Sequence, residues 1–236
     1  MKQEESGAPG TPVGRRVVLG MLGLGAAGVV VGGSLQKQVN KALAPVDQIG
    51  NVLPGAGGGF RYYSVVDSVT SRSAREHRVT VKGMVNKPRD FTLSDLAALP
   101  QTRITRDFQC VTGWRVPDVA WAGVALPDLL DAVGVSPGAR AVRIWSFDGA
   151  YTESLTLDQA RRRDVLVATE MLGGPVTHDH GGPVRLYVAP MYGYKSLKWL
   201  EGIEVTDRVI SGYWERRGYD VDAWVGRSNG RDDEPT

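Results

Sequence analysis

Cys110 is the single cysteine among 236 residues, so the chain has one thiol with which to do chemistry. It stands in Arg106-Asp107-Phe108-Gln109-Cys110-Val111-Thr112-Gly113-Trp114. The residues from Thr102 to Phe108 mix polar and β-forming types, as a strand of an antiparallel sheet does, and Gly113 signals a turn just beyond. This pattern places Cys110 where a strand runs out into a loop, a common place to present a side chain to a ligand. With no second cysteine it has no disulfide partner within the chain. Three readings remain: a buried small apolar residue, a nucleophile or a metal ligand.

Other groups need a reason for their positions. Arg185 interrupts the apolar run Val184-Arg185-Leu186-Tyr187-Val188, and Lys198 precedes Trp199-Leu200. A charge placed near buried groups calls for a partner. Arg185 offers a planar fork for a phosphate, and Lys195 and Lys198 offer point charges. Ser196, with the backbone N–H groups around Gly193, would complete an anion nest. The plain alternative is that these are solvated surface charges. His178 and His180 are spaced i, i+2, one face of a strand, but a zinc site needs further ligands and only His77 and scattered carboxylates are on offer. His178 is therefore read as an exposed residue, and His180 as part of the Asp179-His180-Gly181 turn.

The elements that must position these groups read as short strands interrupted by short helices. Strands are expected over His77–Val85, Thr102–Phe108, Ala141–Phe147, Val165–Ala168 and Val184–Val188. Thr92-Leu93-Ser94-Asp95 and Thr156-Leu157-Asp158-Gln159 each form a capping box that opens a helix. Pro127 to Val133 reads as a helix closed by Gly134. Thirty glycines and thirteen prolines also favour a turn-rich α+β chain in which sheets dominate.

Cys110-Val111-Thr112-Gly113-Trp114 followed by Trp121-Ala122-Gly123-Val124-Ala125-Leu126 resembles the molybdenum-binding region of the sulfite oxidase family. The likeness is greater to its bacterial members, which include a periplasmic methionine sulfoxide reductase, than to sulfite oxidase itself. It continues in Asp148-Gly149-Ala150-Tyr151, in Asp179-His180-Gly181-Gly182-Pro183-Val184-Arg185, and in Tyr192 to Leu200. Several blocks in one order are more specific than a single motif. The resemblance implies a sulfite-oxidase-type molybdopterin-binding fold of several mixed β-sheets with short helices. It implies a molybdenum-molybdopterin (Mo-pyranopterin) cofactor, with Cys110 as the protein's metal ligand. A thiolate suits this role because a soft sulfur can tune the redox potential of the metal. It further implies that Arg61, Tyr62, His180, Arg185, Lys195, Ser196 and Lys198 contact the cofactor and that Tyr151 faces the metal and substrate. For Tyr151 the reading as a core tyrosine with a satisfied hydroxyl stays equally open.

Departures from the family pattern bear on the substrate. Gly113-Trp114-Arg115 stands where sulfite oxidase follows its cysteine with an Arg pair, so no positive pocket for a sulfite dianion is evident. Residues 220–236 are too few for the family's C-terminal immunoglobulin-like dimerisation domain. Without a heme-binding Cys-x-x-Cys-His, electrons must pass through another protein, a heme- or quinol-linked membrane partner.

The N-terminus carries Arg15-Arg16 directly before the uncharged run Val17–Leu35. This is the layout of a twin-arginine export signal, a route that carries proteins already folded around a cofactor. The run is about long enough to span a bilayer but is rich in glycine, and Ala42-Leu43-Ala44 is a candidate cleavage site. Cleavage and anchoring by 17–35 both stay open. The expected organisation is 1–44 export signal or N-terminal anchor, 45–59 Gly/Pro-rich linker, 60–219 oxidoreductase domain and 220–236 polar tail. The expected location is the periplasm or the outer face of the cytoplasmic membrane. A net charge of +2 argues against a nucleic-acid surface. The function expected is two-electron oxygen-atom transfer with a small-molecule oxo-donor or acceptor, with reduction of a sulfoxide or N-oxide favoured over oxidation of sulfite. The alternatives are a hydrolase or transferase using Cys110 with His178 or His180, and an exported binding protein without the metal.

Overall fold

The computed structural model describes residues 59–235. The expected export segment and nearly all of the expected linker lie outside them. No helix among the described residues is long and apolar enough to cross a membrane. Residues Phe60–Thr236 form one compact unit.

Among the described residues, ten strands build two five-stranded sheets. The first is ordered β2 (Arg89–Phe91), β1 (Val79–Gly83), β10 (Leu200–Thr206), β5 (Ala141–Ser146), β6 (Thr152–Thr156). Only its β1–β10 pair is parallel. The second is antiparallel and runs β3 (Gln101–Gln109), β4 (Arg115–Ala125), β7 (Val165–Met171), β8 (Gly174–Pro175), with β9 (Arg185–Val188) also paired to β7. This is the α+β architecture expected.

Strand alternation divides the core. Along β7, Val165 and Val167 join the larger cluster, whereas Leu166 and Ala168 join a smaller one with Phe108, Trp121 and Tyr187. A strand buried on both faces reads as a continuous apolar run, which is why Val165–Ala168 was legible. The helix Leu126–Val133 turns Leu126, Leu129, Leu130 and Val133 inward, one stripe at helical spacing. It stops at Gly134, whose φ is +67°. Both capping boxes form: Thr92 with Asp95, and Thr156 with Gln159.

The longest strand, β4, was not expected, because Pro117 and Gly123 both argue against a strand interior. A register shift between Arg106 and Phe108 resolves the conflict. Pro117 and Asp118 face the single residue Asp107 there, a bulge that spares the proline from donating a ladder hydrogen bond. Asp107 fastens the bulge by accepting from the Asp118 N–H at 2.9 Å and from the Arg115 guanidinium.

Residues 220–235, expected as a polar tail, pack against the body. Ala223 and Val225 are buried in the larger core. The Tyr192 N–H donates to the Ala223 carbonyl at 2.8 Å, and the Tyr192 hydroxyl donates to Asp233 at 3.0 Å. The segment looks polar because its apolar residues are few and lie mainly in the short run Ala223-Trp224-Val225 amid charged and polar neighbours.

Candidate functional site

Cys110 follows directly on β3, as expected. The turn is closed by the Gly113 N–H donating to the Cys110 carbonyl at 3.0 Å, and by the Cys110 N–H donating to the Trp114 carbonyl at 2.8 Å. Gly113 has a φ of +101°, a conformation that only glycine adopts without strain. The thiol is half-buried and free, and it lines a cavity of about 390 Å³. Its Sγ lies 3.2 Å from Thr112 Oγ1.

Arg61, Tyr62, Tyr151, His180, Arg185, Ser196 and Lys198 line the same cavity. They come from four separate parts of the chain, so only the tertiary fold unites them. Arg185 stands on β9, with the same facing as Tyr187, and is 3% exposed. Its guanidinium donates to the carbonyls of His180 at 2.6 Å and Ser196 at 2.8 Å, and sits over the Phe108 and Trp121 rings. None of the ion pairs among the described residues involves it. Burial lowers its pKa to about 10, so it remains charged at neutral pH.

Lys198 holds its ammonium 3.9 Å from the Trp199 ring centroid and 4.3 Å from that of Tyr62, and donates to the Asp179 carbonyl at 3.2 Å. Burial and then the Arg185 charge draw its pKa down to about 7. His180 is shifted to lower pKa by the same two causes and by Lys198; its ring meets Phe60 edge-on at 5.1 Å. Burial disfavours the charged form of all three groups, and the Arg185 charge adds to this at Lys198 and His180, so an anion placed among them would relieve it. Ser196 accepts from the Val188 N–H at 2.9 Å, which leaves its own proton available. Arg61 lies 5.9 Å from the Trp114 ring.

Tyr151 combines both of its readings. It lines the cavity, yet its hydroxyl donates to the Tyr194 carbonyl at 2.7 Å. Burial, then Glu153 and Glu215, hold it well above the ordinary tyrosine range, so it stays protonated.

Lys195 departs from expectation. It is fully buried beside the cavity rather than lining it, and its ammonium donates to Glu153 at 3.0 Å and to Glu215. In the 3₁₀ turn Gly193–Lys195, Tyr194 faces the cavity and Lys195 does not, and two carboxylates already occupy this cation. Glu153, in the middle of β6, carried no sequence signal of this role. His178 is also half-buried instead of exposed, with its ring 5.6 Å from that of Trp199. Neither His178 nor His180 is hydrogen-bonded to Cys110, whose side-chain partner is Thr112. The pairing needed by a thiol nucleophile with a histidine base is not formed. No cluster of three or more metal-ligating His, Cys, Asp or Glu residues occurs among the described residues.

The cavity's other walls are aromatic: Phe60, Tyr63, Trp114, Trp214 and Tyr219. The sequence reading passed over most of these, though the spacing Tyr213-Trp214 and Tyr219 was a signal that could have been followed. Flat apolar walls, one half-buried thiol and a buried cation without a carboxylate fit a planar pterin that ends in an anion and is joined to a soft metal.

Comparison with known proteins agrees. The family described as "Oxidoreductase molybdopterin binding domain" matches residues 66–214. An uncharacterized oxidoreductase of Bacillus subtilis is 36% identical over 61% of this chain and 73% of its own length. Sulfite oxidase of Arabidopsis thaliana is 32% identical over 66% of this chain and 47% of its own. A putative protein-methionine-sulfoxide reductase subunit of Azospira oryzae is 32% identical over 72% of this chain and 63% of its own. The chain thus spans about half to three quarters of these relatives. Among solved structures, the sulfane dehydrogenase SoxCD of Paracoccus pantotrophus shares the fold, with a TM-score of 0.57 and 24% identity over 60% of this chain and 41% of that one. With the thiol, the buried guanidinium and the aromatic walls in one cavity, these matches show that the chain belongs to the molybdopterin-binding oxidoreductases of the sulfite oxidase family, whose cofactor is a molybdenum pyranopterin.

Proposed function

We propose that this oxidoreductase moves an oxygen atom from a neutral oxo-donor, a sulfoxide or N-oxide, using electrons from a heme- or quinol-linked membrane or periplasmic protein. The bound cofactor supplies the two-electron redox change and the acceptor for oxygen. In balance, the substrate loses oxygen, two electrons and two protons are consumed, and water leaves. Cys110 holds the metal. Arg185, Lys198, Ser196 and His180 hold the anionic end of the pterin, with Arg61 and Tyr62 covering it, and Tyr151 keeps its hydroxyl proton beside the cavity.

The observation that carries the choice of substrate is Arg115. It is the first cation after Cys110, and it is tied to Asp107, so it is not free to meet a sulfite dianion. The relative from Azospira oryzae, by its name a putative protein-methionine-sulfoxide reductase subunit, supports the same direction. The Arg15-Arg16 pair before Val17–Leu35 supports export by the twin-arginine translocase to the periplasm or the outer membrane face, with cleavage or anchoring both compatible.

The test uses full-length protein from a host that supplies the cofactor, beside its Cys110→Ala variant. Near-stoichiometric molybdenum and a thiolate-to-metal absorption band, lost in the variant, are expected. With a reduced dye as donor, sulfoxides and N-oxides should be turned over faster than sulfite is oxidised. Faster sulfite oxidation overturns the substrate reading, and molybdenum-free folded protein overturns the redox reading altogether.

A further inference from the structure

Thr112 belongs to the Cys110–Trp114 block, yet the site described so far gives it no role. It lies two positions beyond Cys110 in a turn held at both ends by backbone hydrogen bonds, and its Oγ1 is 3.2 Å from Cys110 Sγ. In a free thiol either atom can donate. A metal-bound sulfur is a thiolate, with no proton to give. In the loaded protein the hydroxyl must then be the donor. The side chain is otherwise exposed, and it has no other hydrogen-bond partner among the described residues, so apolar packing does not account for its direction.

We propose that Thr112 is a positioning residue that donates a hydrogen bond to the Cys110 sulfur and thereby sets the redox potential of the metal. The inference rests on Cys110 being the molybdenum ligand. A donor at a coordinated sulfur withdraws electron density from it, and the sulfur then stabilises the oxidised metal less. The reduced state, which an oxygen acceptor must reach before each turnover, becomes easier to form. The turn geometry keeps the hydroxyl in place: Gly113 at φ +101° fixes the direction in which the chain leaves Thr112. A Cβ at Gly113 would also fall 2.7 Å from the Arg231 guanidinium, which closes the outer side of the turn.

The experiment compares wild type with Thr112→Val, Thr112→Ala and Thr112→Ser, each corrected for measured molybdenum content. The readouts are the midpoint potential, from an EPR-monitored titration, and the position of the thiolate-to-metal band. Thr112→Val and Thr112→Ala should lower the potential and move the band to longer wavelength, because a sulfur relieved of its donor is more electron-rich. Thr112→Ser should stay close to wild type on both. Unchanged potential and band in Val and Ala, or a Ser variant that behaves like them, would overturn the proposal. Should Val fail to load metal, the smaller Ala gives the same comparison. A wild-type protein with no molybdenum and no band would instead overturn the Cys110 assignment, so the two failures are distinguishable.

Discussion

Arg185 commits its donors to carbonyl oxygens and to the space of the cavity, with no carboxylate to neutralise it. A buried cation in this state is stabilised by an anionic ligand and costs stability without one. Arg185→Met is expected to weaken cofactor retention roughly ten- to hundredfold, the equivalent of one charged hydrogen bond. Arg185→Lys should recover little, since one ammonium cannot reproduce the fork that spans the His180 and Ser196 carbonyls. Molybdenum content of the purified variants checks both. Lys198 gives a pH dependence. Its folded pKa of about 7 lies below the ordinary lysine value of 10.5, so between these limits the unfolded chain binds more protons than the folded one. The stability of cofactor-free protein should therefore gain a contribution as pH rises from 7 toward 10, and lose it as pH falls through 7. Urea titrations at pH 6 and pH 9 should show this gain in wild type and not in Lys198→Met. An anion beside Lys198 favours the ammonium, so inorganic phosphate should bind cofactor-free protein more weakly above pH 7.

At the level of elements, the cavity wall depends on how short turns are held to the strands. Lys195, on the turn Gly193–Lys195, joins Glu153 of β6 and Glu215 of the 3₁₀ turn Glu215–Arg217. The cluster has two acids for one base. Burial, only partly offset by Lys195, lifts the Glu153 pKa well above the ordinary range, and contact with Glu215 lifts it further. Burial and the neighbouring Glu215 thus favour the protonated form of Glu153. Removing the cation alone, as in Lys195→Met, strands two buried acids and should cost about 3–5 kcal/mol. Glu153→Gln imitates the protonated carboxyl and should cost far less, which a comparison of urea midpoints will show. The same turn is set against β3 at Gly193, where a Cβ would lie 2.4 Å from the Phe108 ring. Gly193→Ala should displace Phe108, cost about 1–3 kcal/mol through overpacking, and reduce molybdenum content, since Phe108 lies under Arg185. None of this was legible beforehand. Lys195 and Lys198 look alike in Tyr194-Lys195-Ser196-Leu197-Lys198, and only the path of the turn sends one to carboxylates and the other to the cavity.

For the whole molecule, residues 220–235 close the body through Ala223, Val225 and the Tyr192–Asp233 and Asn229–Tyr194 hydrogen bonds. Ending the chain at Tyr219 should lower stability by about 3 kcal/mol or more, from one buried valine and several lost hydrogen bonds. A shift in the melting midpoint measures it. The expected export segment lies outside the described residues. The amino-acid sequence by itself determined the elements whose signals are local: both capping boxes, the helix ended by Gly134, the buried run Val165–Ala168, and the strand that delivers Cys110 into a loop. It also carried the cofactor, because a lone cysteine in Cys110-Val111-Thr112-Gly113-Trp114 and the later blocks belong to one family pattern. The tertiary structure alone decided which charges meet the cavity. Burial and pairing depend on residues far apart in the chain, as Arg185 without a carboxylate and Lys195 with two of them show. It also decided the passage of β4 through Pro117, since a bulge is formed by two strands together and one strand's composition does not announce it.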